Sequence, residues 1–517
     1  MLRIRTTKTA SGKIAVQVVR REHQKTIVVK HFGSANNSAE LKKLRTLADQ
    51  YIIRASQTKP LFPELFTPQK EYLVSLDRLK ITSPYHHFAY ETLSFFYQRN
   101  GFGRLKDKLL EDLTIIRIIE PASKIRSLAL LKEYFNIAYG HTTLYQGLKN
   151  IQEKKDEIEK VAVEYAKKYL SFDFSLLFYD VTTLYFETHK EDEDQIDDHG
   201  EIIEEGLRKN GFSKDHKSNQ PQILIGLLVT KEGYPVALEM FTGKTFEGKT
   251  MIPVILKLKE KYRIKNLTIV ADAAMLSFAN MQEFENHDLS YIVGARMGSV
   301  ALNLIKEISR VLNQTEGIFY KTQTLHGILI CDYSKYRASK DKSDREKQIR
   351  KALRQIEEGD PVLLKYPFLK AEKKPLLKLN TKLIKKDELL DGIKGYYTNV
   401  TGIEESLIVS RYKDLWHVEK AFRIAKTDLE ARPIFHHQRI TIEAHMIIVF
   451  VSLCVVKSIE LLTGISIKRV KDQIWKVLDL TVEDTLTSQK FVTRMDTSTN
   501  EIAELVENLK RRSHSTY

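Results

Sequence analysis

The chain is poor in cysteine, with only Cys331 and Cys454 in 517 residues, the second within a strongly apolar stretch. Two isolated thiols support neither a disulfide framework nor a Cys-based zinc site. Tryptophan is equally scarce, at Trp416 and Trp475. No internal repeat and no clearly low-complexity segment is visible. The start, Met1-Leu2-Arg3-Ile4-Arg5, lacks the apolar stretch of a signal peptide. The longest apolar run, 446–456, is too short to span a bilayer and reads as a core helix. A reducing, cytoplasmic home is expected.

Positive charge is in surplus. Lys and Arg number 82 against 67 Asp and Glu, a formal net charge of +15 and a pI near 9.3. That balance suits a polyanionic partner, nucleic acid before an anionic membrane. An apolar content of 42% supplies a sizeable core, and the length allows two to four domains.

Residues 1–37 read as a small β unit, from β-branched runs at 13–19 and 25–29. Residues 38–170 turn helical; Pro121 breaks one helix and Ser123 is placed to cap the next. Short helices rich in Lys and Arg there suit a DNA-binding domain. From 171 to 300, strands at 174–179, 221–230, 236–241 and 267–271 surround one helix near 251–262. A β-β-β-α-β order is that of ribonuclease H-like domains. Residues 301–395 read as an inserted unit, 396–465 as the return to the core, and 466–517 as a C-terminal helical region. The acidic run Glu191-Asp192-Glu193-Asp194 reads as a solvated loop.

Three carboxylates carry the chemistry. Asp180 and Asp272 close the first and last apolar runs of that core, and Glu419 sits in a helical stretch. Two strand-end aspartates and a helical glutamate can converge into an all-oxygen pocket that suits Mg²⁺ or Mn²⁺. On a continuous helix Tyr412, Glu419 and Lys426, spaced by seven, share one face, with Trp416 and Arg423 one turn to either side of Glu419. Charged residues on a core-facing stripe would be costly, whereas a phosphate backbone beside a metal explains Glu, Arg and Lys together with the aromatics. Lys214, His216 and Lys217, with Lys244 and Lys249, flank the sheet as candidate DNA contacts.

The blocks Phe178-Tyr179-Asp180-Val181-Thr182-Thr183-Leu184-Tyr185-Phe186-Glu187, Gly211-Phe212-Ser213-Lys214-Asp215-His216-Lys217 and Val270-Ala271-Asp272-Ala273 belong together with 412–426, Arg432-Pro433-Ile434-Phe435-His436-His437 and Glu443-Ala444-His445. With these the chain resembles the DDE transposases of bacterial insertion sequences, in the branch with a tyrosine-arginine-glutamate-lysine helix signature. The resemblance implies an α/β fold with a ribonuclease H-like, retroviral-integrase-type catalytic core. A large insertion would separate the second Asp from the Glu, and a small β unit and a helical domain would precede the core.

It also implies Asp180, Asp272 and Glu419 as catalytic acids holding two Mg²⁺ (or Mn²⁺) ions. Tyr412 and Lys426 match the signature tyrosine and lysine, and Leu415 stands where the signature has arginine. Tyr412, Trp416, Arg423 and Lys426 would contact DNA. Phe319, Tyr320, Tyr333 or Tyr336 would be the aromatics available to stack on a base in the insertion. The implied activity is cleavage at the element's ends and strand transfer into target DNA, by a homodimer in a synaptic complex associated with the nucleoid. Two rivals are an inactive end-binding protein derived from a transposase and a structure-selective nuclease.

Overall fold

The computed structural model describes residues 2–9, 12–22, 25–55, 78–212, 219–273, 278–325, 327–357, 368–371 and 377–514. Two compact units emerge: Met1–Pro84 with Asp479–Met495, and Tyr85–Leu478 with Asp496–Tyr517.

In the first unit, strands Leu2–Lys8, Ile14–Glu22 and Lys25–Ala35 form an antiparallel meander. The helix Ser38–Ala55 packs on it around Val16, Val18 and Ala48. A second sheet orders Lys490–Arg494, Asp479–Asp484 and Leu79–Tyr85. Strands therefore interrupt both stretches expected to be wholly helical, 38–170 and 466–517. Leu79–Tyr85 pairs with a segment near the other end of the chain, so no hairpin signal announces it.

The second unit is built on an eight-stranded sheet. Its strands are labelled β1 (Leu176–Tyr185), β2 (Gln222–Val229), β3 (Pro235–Thr242), β4 (Thr268–Ala271), β5 (Ser290–Ala295), β6 (Tyr320–Thr324), β7 (Gly327–Tyr333) and β8 (Ile393–Thr398). Spatial order is β6-β7-β8-β5-β4-β1-β2-β3. β4 is parallel to β1 and β5, and every other pairing is antiparallel. β2 (Gln-Ile-Leu-Ile-Gly-Leu-Leu-Val) is buried along its whole length, as a strand covered on both faces must be. Its neighbours make the β3-β2-β1-β4-β5 half, which fits a ribonuclease H-like core.

Two expectations change. Asp180 lies inside β1 and not at its end, because Val181-Thr182-Thr183-Leu184-Tyr185 continues the strand against β2. Within 301–395, β6, β7 and the start of β8 extend the core sheet, while α2 (Lys335–Glu357) leaves it. The acidic run is also more than a solvated loop. Asp192 accepts from the Arg208 backbone N–H at 2.9 Å and its Nε at 2.7 Å, and Asp194 meets Lys209 at 2.8 Å.

Helices complete the unit. α1 (Met251–Tyr262) leads into β4, α3 (Glu405–Lys413) lies against β4, β5 and β7, and α4 (Trp416–Thr427) lies on β1 and β2. The Ser123 hydroxyl caps helix Lys124–Phe135 by accepting from the Arg126 N–H at 3.2 Å. α5 (Arg439–Thr463) packs against α4, β3 and the helices Lys108–Ile119 and His141–Glu153. This helix is longer than its apolar run suggested. By length and composition it could cross a membrane, yet 78% of its most apolar window is buried inside the protein. Cys331 and Cys454 are buried free thiols.

A buried polar hub fixes the segment between α4 and α5. Arg117 donates to the carbonyls of Leu429 and Glu430 at 3.4 Å and of Ala122 at 2.9 Å. His445 Nε2 faces the Ala431 carbonyl at 3.2 Å and so carries the proton. Its Nδ1 then accepts from Lys124 Nζ at 2.9 Å. Downstream, Ile434 bridges to Phe186 just beyond β1. Burial, then the cations Lys124 and Arg117, push His445 well below the usual imidazole range and His436 down to about 4. Unfolding lets both take up protons between their folded and unfolded pKa values, so what these two histidines contribute to stability is full above about pH 6.5. It should be lost progressively as pH falls from there towards about 4. Urea midpoints across this range test it: His436→Gln should flatten the decline and leave the midpoint at pH 7 nearly unchanged.

Candidate active site

The strand register sets the first two acids side by side. Val270 pairs with Phe178 and Ala271 with Tyr179, so the next positions in these parallel chains are Asp272 and Asp180. Neighbouring strands lie about 4.8 Å apart, and adjacent in-register positions share a face of the sheet. The row continues to Gly294 of β5, one past the Ala271–Val293 pair, and to Tyr396 of β8, paired with Gly294.

α3 and α4 cover that face. Side chains at 180, 182 and 184 point the same way from β1, and Thr182 and Leu184 line a small apolar cavity together with Lys426 and Phe422 of α4. From α3, the Tyr412 hydroxyl donates to Asp272 Oδ1 at 3.3 Å, an oxygen that also accepts from the Ala273 N–H at 2.7 Å. Tyr412 can come this close because position 294 is glycine: a Cβ there would stand 2.5 Å from the Tyr412 hydroxyl. Burial, then the Asp272 and Glu419 carboxylates, push the Tyr412 phenol well up, so it stays protonated and donates.

The continuous stripe expected from Tyr412 to Lys426 is interrupted. Asp414 and Leu415 form a tight turn, with three-residue hydrogen bonds from Leu415 to Tyr412, His417 to Asp414 and Val418 to Leu415. Each such step rotates the chain further than an α-helical one, so positions seven apart lose their common face. Tyr412 is 5% exposed and Trp416 50%, the latter stacked on His417 at 3.9 Å. Glu419 and Arg423 are exposed and Lys426 is half-buried. Leu415 is buried, so this turn has no room in water for the signature's arginine. Lys214, His216 and Lys217 lie outside the described residues; Lys244 pairs with Glu205 at 3.2 Å. Tyr320 and Tyr333 are buried, whereas Tyr336 is 83% exposed.

Three residues beside the acids escaped the sequence reading. Lys394 places its ammonium 4.5 Å from the centre of the Tyr412 ring. Burial, then Arg337, lower its pKa, against the opposing pull of Asp272, Asp332 and Glu419. Buried Asp332 accepts from the Tyr396 hydroxyl at 3.0 Å and meets Lys413 at 3.2 Å. In β8, Lys394 alternates with Ile393 and Gly395, and a lysine on a strand's covered face is the signal that could have marked it. Arg337 and Asp332 carried no such mark. A cleft of about 660 Å³ opens here, lined by Asp272, Gly294, Arg337, Asp341, Lys394 and Tyr412 among others.

The family described as Transposase DDE domain matches residues 172–455, more than half of the chain and all of this site. The protein is a member of the DDE transposase family. The transposase's surplus of positive charge suits a polyanionic partner. Among solved structures, the chain is similar to a piggyBac transposase synaptic complex with hairpin DNA, at 11% identity and a TM-score of 0.31. That likeness covers 61% of this chain and 56% of the other, so the transposase spans little more than half of that protein's length. No curated protein matches it.

DDE transposases generally use divalent metal ions, and the donors here fit such an ion in kind. Asp180 and Asp272 bring hard oxygen donors to adjacent positions. Both hydrogen bonds to Asp272 end on Oδ1. Among the described residues, however, no three His, Cys, Asp or Glu side chains are gathered closely enough to hold an ion as they stand.

Proposed function

We propose that this transposase cuts DNA at the ends of a bacterial insertion sequence and joins those ends to target DNA, with Asp180, Asp272 and Glu419 as its catalytic acids. The observation that carries the reading is the register setting Asp180 beside Asp272, on the face where α3 delivers Tyr412 and α4 bears Glu419. Asp180 and Asp272 would hold two Mg²⁺ or Mn²⁺ ions, Glu419 completing the shell of the second. Bound there, such ions activate the attacking water or 3′ hydroxyl and stabilise the leaving oxygen.

The chain's own groups position and neutralise. Tyr412, protonated, orients the Asp272 carboxylate. Lys394 and Arg337, in the same cleft, offer positive charge to the scissile phosphate and its neighbours. Lys426, Arg423 and Trp416 on α4 would hold the DNA end, and two copies of the chain would hold two ends in a synaptic complex. Both chemical steps are in-line displacements without a covalent enzyme intermediate, so positioning and charge suffice. Tyr412, Glu419 and Lys426 support membership of the tyrosine-arginine-glutamate-lysine branch, from which Leu415 departs.

The test incubates a labelled DNA fragment carrying the gene's own flanking sequence with protein and Mg²⁺, beside EDTA and Asp180→Asn controls. Nicking at one defined position, lost in both controls, is the expected result. Binding without a cut would turn the reading to an inactive end-binding protein, and cutting without joining to a nuclease. Wild-type cleavage by Asp180→Asn would remove that residue from the site.

A further inference from the structure

Away from the acids, a second cleft of about 500 Å³ opens between helices His87–Arg99 and Lys155–Tyr169, beside the short turn Phe102–Leu105. Three cations line it, Arg99, Arg104 and Lys168, with one carboxylate, Glu164. That carboxylate is taken: Arg104 Nη2 donates to it at 2.7 Å. Arg99 makes no hydrogen bond or ion pair among the described residues, and its Nε is shielded from solvent without an acceptor. Its guanidinium rests over the Tyr169 ring, 5.1 Å from the centre, and the Lys168 ammonium lies 5.0 Å from that same centre, in no ion pair among the described residues. Asn100, at the back of the cleft, spends its amide on the Phe96 carbonyl, Ser458 and Tyr234.

The cleft thus presents unused donors and no unused carboxylate. Arg99 and Lys168 offer only N–H groups, and an arginine accepts nothing. A cation in the last turn of a helix suits the helix dipole, which accounts for where the two stand in sequence. It leaves unexplained why a guanidinium with a shielded, unsatisfied nitrogen opens into a cavity of ligand size, since such a donor is costly to bury alone. An oxyanion in the cleft would meet the guanidinium N–H groups that face it. Phe95, Tyr165 and Tyr169 add aromatic wall beside Gln98 and Gly101, so a fitting ligand also has an apolar or planar part to set against them. A phosphodiester with its attached sugar and base has both.

We propose that this cleft is a second DNA-backbone site, in which Arg99 and Lys168 bind phosphate of a strand whose sugar or base lies against Tyr169. The proposal rests on the transposase reading for its choice of DNA over another organic phosphate. The test measures binding of the full-length protein to a labelled duplex, with and without a single-stranded extension, across a series of salt concentrations. Arg99→Gln/Lys168→Gln should weaken binding about tenfold and make log K against log salt shallower by about 1 to 2. Glu164→Gln frees Arg104 and removes the one negative charge, so it should tighten binding and steepen the slope. Damage to the fold cannot produce that gain.

An unchanged slope in the double variant, or no DNA binding by the wild type, overturns the proposal. So does stabilisation of the wild type by inorganic phosphate or dAMP with no effect of the substitutions on DNA, which would assign the cleft to a free nucleotide. The two readings fail separately. Asp180→Asn should keep the wild-type salt slope and lose cleavage, whereas the cleft variants at saturating protein should keep cleavage.

Discussion

Asp272→Asn should abolish metal-dependent DNA cleavage, by about 10³-fold or more, in a protein that melts at nearly the wild-type temperature. The magnitude follows from the several kcal/mol of transition-state stabilisation that a bound metal supplies, at a factor of ten for each 1.4 kcal/mol or so. An amide oxygen is a poor substitute for a carboxylate on a hard cation, because it carries no net charge. Two features make the fold insensitive. Asp272 is exposed, just beyond β4, and its two hydrogen bonds both end on Oδ1. An asparagine Oδ1 can accept both from the Ala273 N–H and the Tyr412 hydroxyl. The substitution therefore removes charge and leaves geometry. Single-turnover cleavage, with circular dichroism melting on the same preparation, checks both halves. Cleavage within tenfold of wild type would exclude Asp272 from metal binding. A large fall in melting temperature would instead assign it a structural role.

Gly294→Ala should damage both the fold and the site by a single methyl. The new Cβ would lie 2.5 Å from the Tyr412 hydroxyl and 3.2 Å from both the Ala273 Cβ and its backbone nitrogen. Tyr412 cannot swing aside cheaply: it is buried, its ring packs on Tyr396 at 4.8 Å, and Lys394 sits over it. Overpacking of this kind costs about 1–3 kcal/mol. The displaced hydroxyl also releases Asp272, and a misplacement of order 1 Å at a reacting group can cost about 10²-fold in rate. Removing the obstructing atom should restore part of the stability, so Gly294→Ala/Tyr412→Phe should be less destabilised than the two single changes added together. Strict additivity in urea unfolding would show that the clash is not with Tyr412.

Much of this protein was legible in its sequence because the signals are local. β-branched and apolar runs marked β1, β2, β3 and β4, and the spacing at 251–262 marked α1. Ser123 announced a helix start, and the surplus of Lys and Arg agreed with a DNA-handling family. What stayed hidden depended on partners distant in the chain. The strand Leu79–Tyr85 has meaning only beside Asp479–Asp484, and the acids at 192 and 194 only beside Arg208 and Lys209. An aspartate after an apolar run looks like a strand end, but pairing with β2 carries β1 on to Tyr185. Lys394, Arg337 and Asp332 entered the site because β7 and β8 join the core sheet, a placement that no spacing along the chain expresses.

By itself the sequence determined which residue types were available: two aspartates after apolar runs, one glutamate on a helix, and few thiols to offer other chemistry. Only the tertiary structure decided that Asp180 and Asp272 stand in adjacent positions, since β-sheet register is set by pairing between strands and not within one. It also decided that Tyr412 turns inward to Asp272 while Trp416 stays half exposed, stacked on His417. The turn at Asp414 and Leu415 rotates one helix against the next, and buried Leu415 and glycine 294 hold the two helices where they are. A periodic pattern shows which face of a helix is apolar, but a helix broken by one tight turn has two faces, and packing alone chooses between them.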